Sequence, residues 1–239
     1  MKIRINFKSS VRPINYPMNK QINGFINMVL GENNKYHGKV SSHSVSLMNG
    51  RGIYDRVNRT VEFPDGGYIY VSSPDSEFML DLIVGLGNIG NADICGMELK
   101  GIDEGRYDVC NFYPNKKYDY VTTMTPIILT DDRKNITYKH EKFLDVLTDK
   151  CIKKLIHYGI SEEHASTIRM NLCRHDSNRT FDMLISGQHN ICSRVTLKVY
   201  GDESARVALY EMGLGKSTSF CFGNVKINDF IRSERYIKH

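Results

Sequence analysis

Two short segments of the chain carry side chains whose types and spacing suit chemistry. The first is Lys35-Tyr36-His37-Gly38-Lys39, followed by a second histidine, His43. A histidine with a near-neutral pKa exchanges a proton at physiological pH, and a lysine two residues away can stabilise developing negative charge. Together His37 and Lys39 suffice, without a metal, to activate a ribose 2′-OH for attack on its neighbouring phosphate. A solvated polar loop explains the same residues, since loops at helix ends are exposed.

His43 is the weaker member of this group from sequence alone. The surrounding residues, Ser42-His43-Ser44-Val45-Ser46, have the pattern of a strand, in which a histidine can simply face solvent or cover the core. We therefore expect His37, with Lys39, to be the principal pair and His43 to be the alternative.

The second segment, residues 213–227, opens with two glycines, a lysine and three hydroxyl residues and then becomes an apolar strand that contains a third glycine. Glycine has no Cβ, so such a loop can bring backbone N–H groups close to a phosphate. The residues predicted to contact phosphate are Gly213, Gly215, Lys216, Ser217 and Thr218. A plain turn between a helix and a strand is the alternative.

The glycine-rich segment does not fit a nucleotide-binding P-loop. Gly215-Lys216-Ser217 resembles the end of that motif, but the first glycine that the motif requires falls at Tyr210. A P-loop also runs from a strand into a helix, whereas here a predicted helix (202–212) precedes a predicted strand (220–227). Both failures disfavour binding of ATP or GTP.

A basic β region precedes the glycine-rich segment. It contains five cations against Asp176 and Asp182: Arg169, Arg174, Arg179, Arg194 and Lys198. Strand alternation over residues 194–200 turns one set of side chains inward, namely Val195, Leu197 and Val199. The other face then carries Arg194, Thr196, Lys198 and Tyr200. That face can follow a phosphate backbone, and an ordinary solvated sheet face is the equal alternative.

Composition limits the class of protein. With 239 residues, of which 41% are hydrophobic and 25% charged, the chain can form one large globular domain or two smaller ones. No apolar run reaches the length of a membrane span. The six cysteines are scattered without metal-binding spacing, which predicts free thiols in a cytoplasmic protein and no metal or other cofactor. The net charge of +5 permits an anionic partner.

Periodicity predicts an α+β fold of two tandem ferredoxin-like domains, each with the order β-α-β-β-α-β. We place the domains at residues 1–114 and 118–239, separated by the polar break Pro114-Asn115-Lys116-Lys117. The predicted helices are 18–30, 75–85, 140–158 and 202–212. The predicted strands are 2–9, 40–48, 60–72, 96–102, 106–112, 120–130, 169–174, 181–186, 193–200 and 220–227. The turn signature Pro64-Asp65-Gly66-Gly67 predicts that 60–72 is a hairpin.

Several motifs together resemble a known family. They are Ile14-Asn15-Tyr16-Pro17 before a helix with Gly24-Phe25-Ile26, Tyr36-His37 before Val45-Ser46-Leu47, Thr125-Pro126-Ile127-Ile128, Val199-Tyr200-Gly201, Tyr210–Gly215 and Ser219–Val225. In order and spacing the chain resembles the CRISPR-associated endoribonucleases that process repeat RNA into guide RNA. The resemblance spans most of the chain and is most specific in the C-terminal glycine-rich loop.

This resemblance implies two ferredoxin-like domains, repeat RNA as the partner, and cleavage without a metal to a 2′,3′-cyclic phosphate and a 5′-OH. It implies His37 as general base and Lys39 or His43 as acid or charge stabiliser. Three departures stand out: Asn27 where some members have a tyrosine, Cys221 in place of a glycine, and a short spacing after His37 that favours His43. A non-catalytic RNA-binding subunit of a CRISPR effector complex is the alternative, and pairing as a homodimer stays open.

Overall fold

The computed structural model describes residues 1–31, 34–36, 41–115, 117–173, 177–185 and 188–228. The chain forms two compact units. The first comprises Met1–Asn111 together with Ser219–Cys221, and the second comprises Phe112–Thr218 and continues from Phe222. None of the described helices combines the length and the apolar character needed to cross a membrane.

The first unit contains two helices and nine mostly short strands among its described residues. The helices are α1 (Asn19–Leu30) and α2 (Ser76–Asn88). The strands are β1 (Lys2–Phe7), β2 (Ile14–Asn15), β3 (Ser44–Val45), β4 (Ile53–Asp55), β5 (Thr60–Glu62), β6 (Gly67–Ser72), β7 (Asp93–Ile94), β8 (Met97–Glu98) and β9 (Tyr107–Cys110).

The main sheet of the first unit has the antiparallel order β3-β6-β1-β9. Ile3 lies opposite Val71 and Ile5 opposite Ile69, and all four side chains are fully buried. Strand alternation thus places one face of β1 and β6 in the core, under α1 and α2. The two helices approach closely at Gly85, where an added Cβ would lie 2.1 Å from the carbonyl oxygen of Val29.

The predicted hairpin over residues 60–72 is wrong. The turn at Pro64–Gly67 does reverse the chain, and the Gly66 amide donates to the Phe63 carbonyl. The strands on either side of it pair with different partners, however: β5 joins β2 and β4 in a separate three-stranded sheet, while β6 joins β1 and β3. A turn motif fixes a reversal of direction but not the strand that each arm pairs with.

The second unit contains three helices and eight strands among its described residues. The helices are α3 (Phe143–Tyr158), α4 (Glu162–Ala165) and α5 (Glu203–Met212). A single 3₁₀ turn, Thr218–Phe220, begins at the last residue before the segment Ser219–Cys221 of the first unit. The strands are β10 (Tyr118–Thr123), β11 (Thr130–Asp131), β12 (Lys134–Asn135), β13 (Arg169–Leu172), β14 (Arg179–Ile185), β15 (Gln188–Arg194), β16 (Thr196–Tyr200) and β17 (Val225–Ile227).

The main sheet of the second unit has the antiparallel order β13-β16-β10-β17. The four strands of the β-α-β-β-α-β series are β1, β3, β6 and β9 in the first unit and β10, β13, β16 and β17 in the second. In both units the third strand of the series lies between the second and the first, and the fourth lies beside the first. This is the ferredoxin-like order, so the predicted α+β class with two tandem ferredoxin-like domains is confirmed. Val195, Leu197 and Val199 point into the core, as alternation predicted, and none is exposed.

A buried polar cluster ties α5 to β10 in the second unit. The Arg206 guanidinium pairs with the Asp119 carboxylate, and both side chains are 0% exposed. Tyr210 donates its hydroxyl to Asp119 at 3.0 Å, and the Asn115 amide donates to the same carboxylate at 2.7 Å. The other two guanidinium nitrogens, Nε and Nη2, donate to the carbonyls of Gly201 and Asn115, so each nitrogen of the buried guanidinium has a hydrogen-bond partner.

Candidate nucleic-acid interface

A pocket of about 200 Å³ lies at the start of α2 in the first unit, next to His43. The His43 ring is 9% exposed and stacks on the Phe78 ring, with centroids 4.3 Å apart and planes 13° from parallel. The Ser41 hydroxyl donates to the His43 carbonyl at 2.7 Å, which fixes the backbone before β3. The pocket is lined by Lys35, Tyr36, Ser41, Ser42, His43, Asp75 and Glu77.

Tyr36 and Lys35 form the polar side of this pocket. The Tyr36 hydroxyl donates to Asp81 at 2.8 Å, and its ring packs edge-on against Phe78. Burial, followed by the hydrogen bond to Asp81, raises the pKa of Tyr36 to about 12. The hydrogen bond to Glu77 raises the pKa of Lys35. Tyr36 is therefore a neutral donor and Lys35 a cation at neutral pH.

The rest of the predicted catalytic loop lies outside the described residues. His37 and Lys39 fall in the undescribed stretch 37–40, between Tyr36 and Ser41. The described residues before and after it, Tyr36 and Ser41, both line the pocket. His43, the alternative candidate, is the histidine that the structure places directly in the pocket.

The glycine-rich loop uses its backbone amides to hold its own fold. Leu214 donates to Gly223 at 2.9 Å, Lys216 to Ile128 at 3.1 Å, and Gly223 to Pro126 at 2.9 Å. These amides therefore do not form the phosphate cradle that the glycines suggested. The loop instead forms a closed frame against residues 126–128.

The glycines of this frame are needed for close packing. Gly215 and Gly223 have φ angles of +76° and +60°, a region that residues with a Cβ rarely adopt. An added Cβ at Gly215 would lie 2.6 Å from Cγ2 of Ile127, and one at Gly223 would lie 1.8 Å from the Leu214 carbonyl oxygen. Gly213 is buried at the end of α5, with a φ of 73°.

Lys154 on α3 holds the frame from inside. Its ammonium donates to the Met212 carbonyl at 2.7 Å, to the Thr218 hydroxyl at 3.0 Å and to the Gly213 carbonyl at 3.4 Å. Burial lowers the pKa of Lys154 to about 8. A cation is favoured there by the carbonyls at the C-terminal end of α5.

The exposed part of the glycine-rich loop is its tip. Lys216 and Ser217 are exposed, and the Lys216 ammonium donates to the Thr130 hydroxyl at 3.1 Å. Thr218 is 1% exposed and accepts the hydrogen bond from Lys154. Its hydroxyl supports the loop from inside, in contrast to the surface position we expected.

Two of the predicted basic residues face each other. Arg179 on β14 is the direct partner of Arg194 on β15. Like charges directly opposite on a sheet repel, so an anion placed between them would relieve the repulsion. The Arg194 guanidinium also donates to the Thr123 carbonyl at 3.1 Å, which anchors it. Arg174 lies outside the described residues.

Lys198 lies on the face of the main sheet opposite to the helices. Its ammonium is 3.9 Å from the centre of the Tyr118 ring and 5.3 Å from that of Tyr200. The hydrogen bond to Tyr200 raises the pKa of Lys198, so the amine is charged at neutral pH. Thr196, predicted on this face too, is fully buried and bonds to Thr122 at 2.8 Å.

Sequence reasoning placed Tyr200 beside Lys198 but missed Lys154, Tyr118 and Tyr120. Lys154 is 64 positions from Thr218, and a lysine on an amphipathic helix is ordinarily assigned to the solvated face. The spacing Tyr118-x-Tyr120 on a predicted strand does place both rings on one face, and this signal could have identified the tyrosines.

The fold assigns the chain to the class of tandem ferredoxin-like proteins. Its first unit carries the pocket beside His43, and its second unit carries the basic strands and the glycine-rich loop. Residues 111–227, about half of the chain, match the family described as CRISPR associated protein Cas6, C-terminal. Comparison with curated protein sequences gives no match. The chain belongs to the CRISPR-associated Cas6 family, as its resemblance predicted.

Solved structures share the fold over nearly the whole chain. A structure described as CRISPR associated protein Cas6 has a TM-score of 0.78 and 21% identity, covering 96% of this chain and 99% of that one. A Cas6-related protein from Pyrococcus furiosus has a TM-score of 0.80 and 17% identity, with coverage of 96% and 98%. A RAMP protein described as binding different RNA substrates has a TM-score of 0.76 and 17% identity, with coverage of 96% and 100%.

Proposed function

We propose that the chain is a metal-independent endoribonuclease that cleaves CRISPR repeat RNA. The observation that carries the proposal is the Cas6 C-terminal domain at residues 111–227, joined in one chain to a unit with a histidine-lined pocket. In this proposal residues 1–114 carry the catalytic loop and residues 118–239 carry the principal RNA contacts.

The chemistry requires one base, one acid and the RNA itself. His37 removes the proton from a ribose 2′-OH, and the oxygen attacks the adjacent phosphorus. The bond from phosphorus to O5′ breaks, and Lys39 or His43 gives a proton to the departing oxygen. The products are a 2′,3′-cyclic phosphate and a 5′-OH. Stacking on Phe78 would hold the His43 ring in one orientation for such a transfer.

The proposed RNA contacts in the second unit combine the loop tip with the basic strands. Lys216 and Ser217 project from the glycine frame that Gly213, Gly215 and Thr218 shape. Arg179, Arg194 and Lys198 supply positive charge from β14, β15 and β16, and we retain Arg174 as a proposed contact. Their role is to neutralise phosphates, which makes binding strongly dependent on salt.

Incubation of the protein with its own repeat RNA in excess EDTA tests the reaction. We expect one cut, a 5′-OH product that a polynucleotide kinase can label directly, and a 3′ end that resists phosphatase until acid opens the cyclic phosphate. Absence of cleavage, or a product with a free 3′-OH, contradicts the mechanism.

Histidine variants assign the base. We expect His37→Ala to slow cleavage at least about 100-fold while repeat-RNA affinity stays nearly unchanged, because a general base contributes to the rate rather than to binding. His157→Ala is the matched control, since His157 is exposed in the last turn of α3. If His43→Ala alone abolishes cleavage and His37→Ala does not, His43 is the base.

A non-catalytic RNA-binding subunit is the second candidate function. It is favoured by the likeness to the RAMP protein described as binding different RNA substrates. This candidate predicts that repeat RNA is recovered intact with and without Mg²⁺, while affinity falls steeply with salt. It also predicts co-purification with other subunits of a CRISPR effector complex.

A further inference from the structure

The outer face of the second unit's main sheet carries a cluster of tyrosines around one lysine. We name it the tyrosine face and define it by Tyr118, Tyr120, Lys198, Tyr200 and Arg169. Tyr118 pairs directly with Tyr200 across β10 and β16, and Tyr120 pairs with Lys198. Arg169 on β13 is the neighbour of Tyr200 on its other side. The alternate residues of the same strands, such as Val121 and Val199, point into the core.

The rings of the tyrosine face contact each other at angles that leave their surfaces turned in different directions. Tyr118 lies 5.7 Å from Tyr120 at 83° and 5.6 Å from Tyr200 at 54°. Tyr118 and Tyr200 are half-buried, while Tyr120 is buried. Two partly accessible rings therefore flank the Lys198 ammonium.

The charge of the tyrosine face is positive throughout. Among the described residues of β10, β13, β16 and β17, no aspartate or glutamate alternates to this side. Arg169, Lys198 and Lys226 do, Lys226 as the partner of Thr122. Asp119 turns the other way and is fully buried. A cationic, aromatic surface of this kind is complementary to a nucleic acid and repels a cationic partner.

We propose that the tyrosine face binds unpaired nucleotides of RNA, with bases stacked on Tyr118 and Tyr200 and a phosphate held by Lys198. This inference rests on the RNA binding in the proposed function and specifies which part of the RNA is bound. Paired bases in a duplex have their faces covered by neighbouring bases, so aromatic rings on a sheet bind unpaired bases. The Lys198 ammonium moves toward the phosphate and exposes the Tyr118 ring that it covers.

The test uses a single-stranded oligoadenylate of about eight nucleotides that carries one 2-aminopurine, whose fluorescence is quenched by stacking. We expect the wild-type protein to bind and quench it. Tyr118→Leu and Tyr200→Leu should each weaken binding about 5- to 100-fold and abolish the quenching, whereas the Phe variants should retain both. Tyr113→Leu is the control, because Tyr113 is 77% exposed and lies outside the sheet.

Lys198→Gln provides a second readout that does not depend on the tyrosines. It should lower the slope of affinity against salt by about one, whereas the tyrosine variants leave that slope unchanged. Wild-type affinity and quenching in both Leu variants overturn the proposal. Binding of repeat RNA without binding of oligoadenylate overturns it and leaves the proposed function standing. Failure to bind either RNA contradicts the proposed function itself.

Discussion

Arg206 keeps its charge inside the second unit because acceptors surround its guanidinium. The Asp119 carboxylate and the carbonyls of Gly201 and Asn115 accept its N–H groups. Burial and the neighbouring Asp119 charge raise the pKa of Tyr210, so its phenol remains a donor to the same carboxylate. A buried pair of this kind is costly to break, since the remaining charge has no solvent to stabilise it.

Removal of the Asp119 side chain tests this dependence. We expect Asp119→Ala to lower the free energy of unfolding by about 3–5 kcal/mol, because it leaves the Arg206 charge buried without its partner. Asp149→Ala is the matched control: Asp149 pairs with Lys153 at 2.8 Å on the exposed side of α3, and its loss should cost about 0.5 kcal/mol or less. Urea denaturation measures both, and equal losses would contradict the assignment.

Lys154 gives the stability of the second unit a predictable dependence on pH. Its folded pKa, about 8, lies below the ordinary value of 10.5, so the folded state disfavours the charged amine. The unfolded chain then binds more protons between these two values, and stability rises as pH increases through that window. The destabilisation is fully present below pH 8 and is relieved toward pH 10.5.

The measurement compares wild type with Lys154→Met in urea at pH 7 and at pH 9.5. We expect the difference in unfolding free energy to move in favour of wild type by about 2 kcal/mol at the higher pH. Subtraction of the variant removes the titration of other lysines, tyrosines and cysteines. A difference that does not change with pH would show that Lys154 titrates normally.

Individual side chains differ in how far the sequence predicts their roles. The acid–base potential of His37, Lys39 and His43 follows from residue type and spacing. The half-buried position of Lys154 and the fully buried position of Arg206 do not. Their partners are distant in the chain: Thr218 lies 64 positions from Lys154, and Asp119 lies 87 positions from Arg206. Propensity places a charged residue of a helix in solvent, and only the tertiary contacts override that expectation.

At the scale of elements, α2 contains two glycines that the structure distinguishes sharply. An added Cβ at Gly85 would lie 2.1 Å from the backbone of α1 at Val29, whereas one at Gly87 meets nothing within 4 Å. Gly85 therefore sets the spacing between α1 and α2. Gly87 has no packing role and only raises the flexibility of the unfolded chain.

The pair Gly85→Ala and Gly87→Ala is a matched test of helix packing. We expect Gly85→Ala to destabilise the protein by about 1–3 kcal/mol, because the helices must separate to admit the methyl group. Gly87→Ala should stabilise it by about 0.5–1 kcal/mol through its better helix propensity. Urea midpoints measure both changes, and two changes of the same sign would refute the packing argument.

The elements themselves vary in how closely the sequence predicts them. The predicted helix 18–30 is present as Asn19–Leu30 and 202–212 as Glu203–Met212, because apolar residues recur at helical spacing on one face. The predicted strand 220–227 is reduced to Val225–Ile227. The frame of the glycine-rich loop occupies the residues before it, where Cys221 and Gly223 adopt positive φ angles that a strand cannot contain.

At the scale of the whole molecule, the same strand order occurs in both units. Periodicity predicts the sequence of elements, and the β-α-β-β-α-β order then restricts the topology to few choices. Each main sheet also carries cation–tyrosine contacts on the side away from its helices. In the first unit Arg4 lies 4.0 Å from the centre of the Tyr68 ring and Lys2 lies 4.3 Å from that of Tyr70.

In the closed frame of the glycine-rich loop, the residues that hold the backbone differ from the residues that are exposed for contact with a ligand. The amides of Lys216 and Gly223 donate to Ile128 and Pro126, the Leu214 amide donates to Gly223 within the loop, and Lys154 donates to the loop from its inner side. Lys216 and Ser217 project beyond that scaffold. The side chains at the tip can therefore change while the backbone that supports them stays the same. Substitution of these two residues can alter which ligand the loop prefers, provided that the residue at position 217 tolerates a φ of 56°.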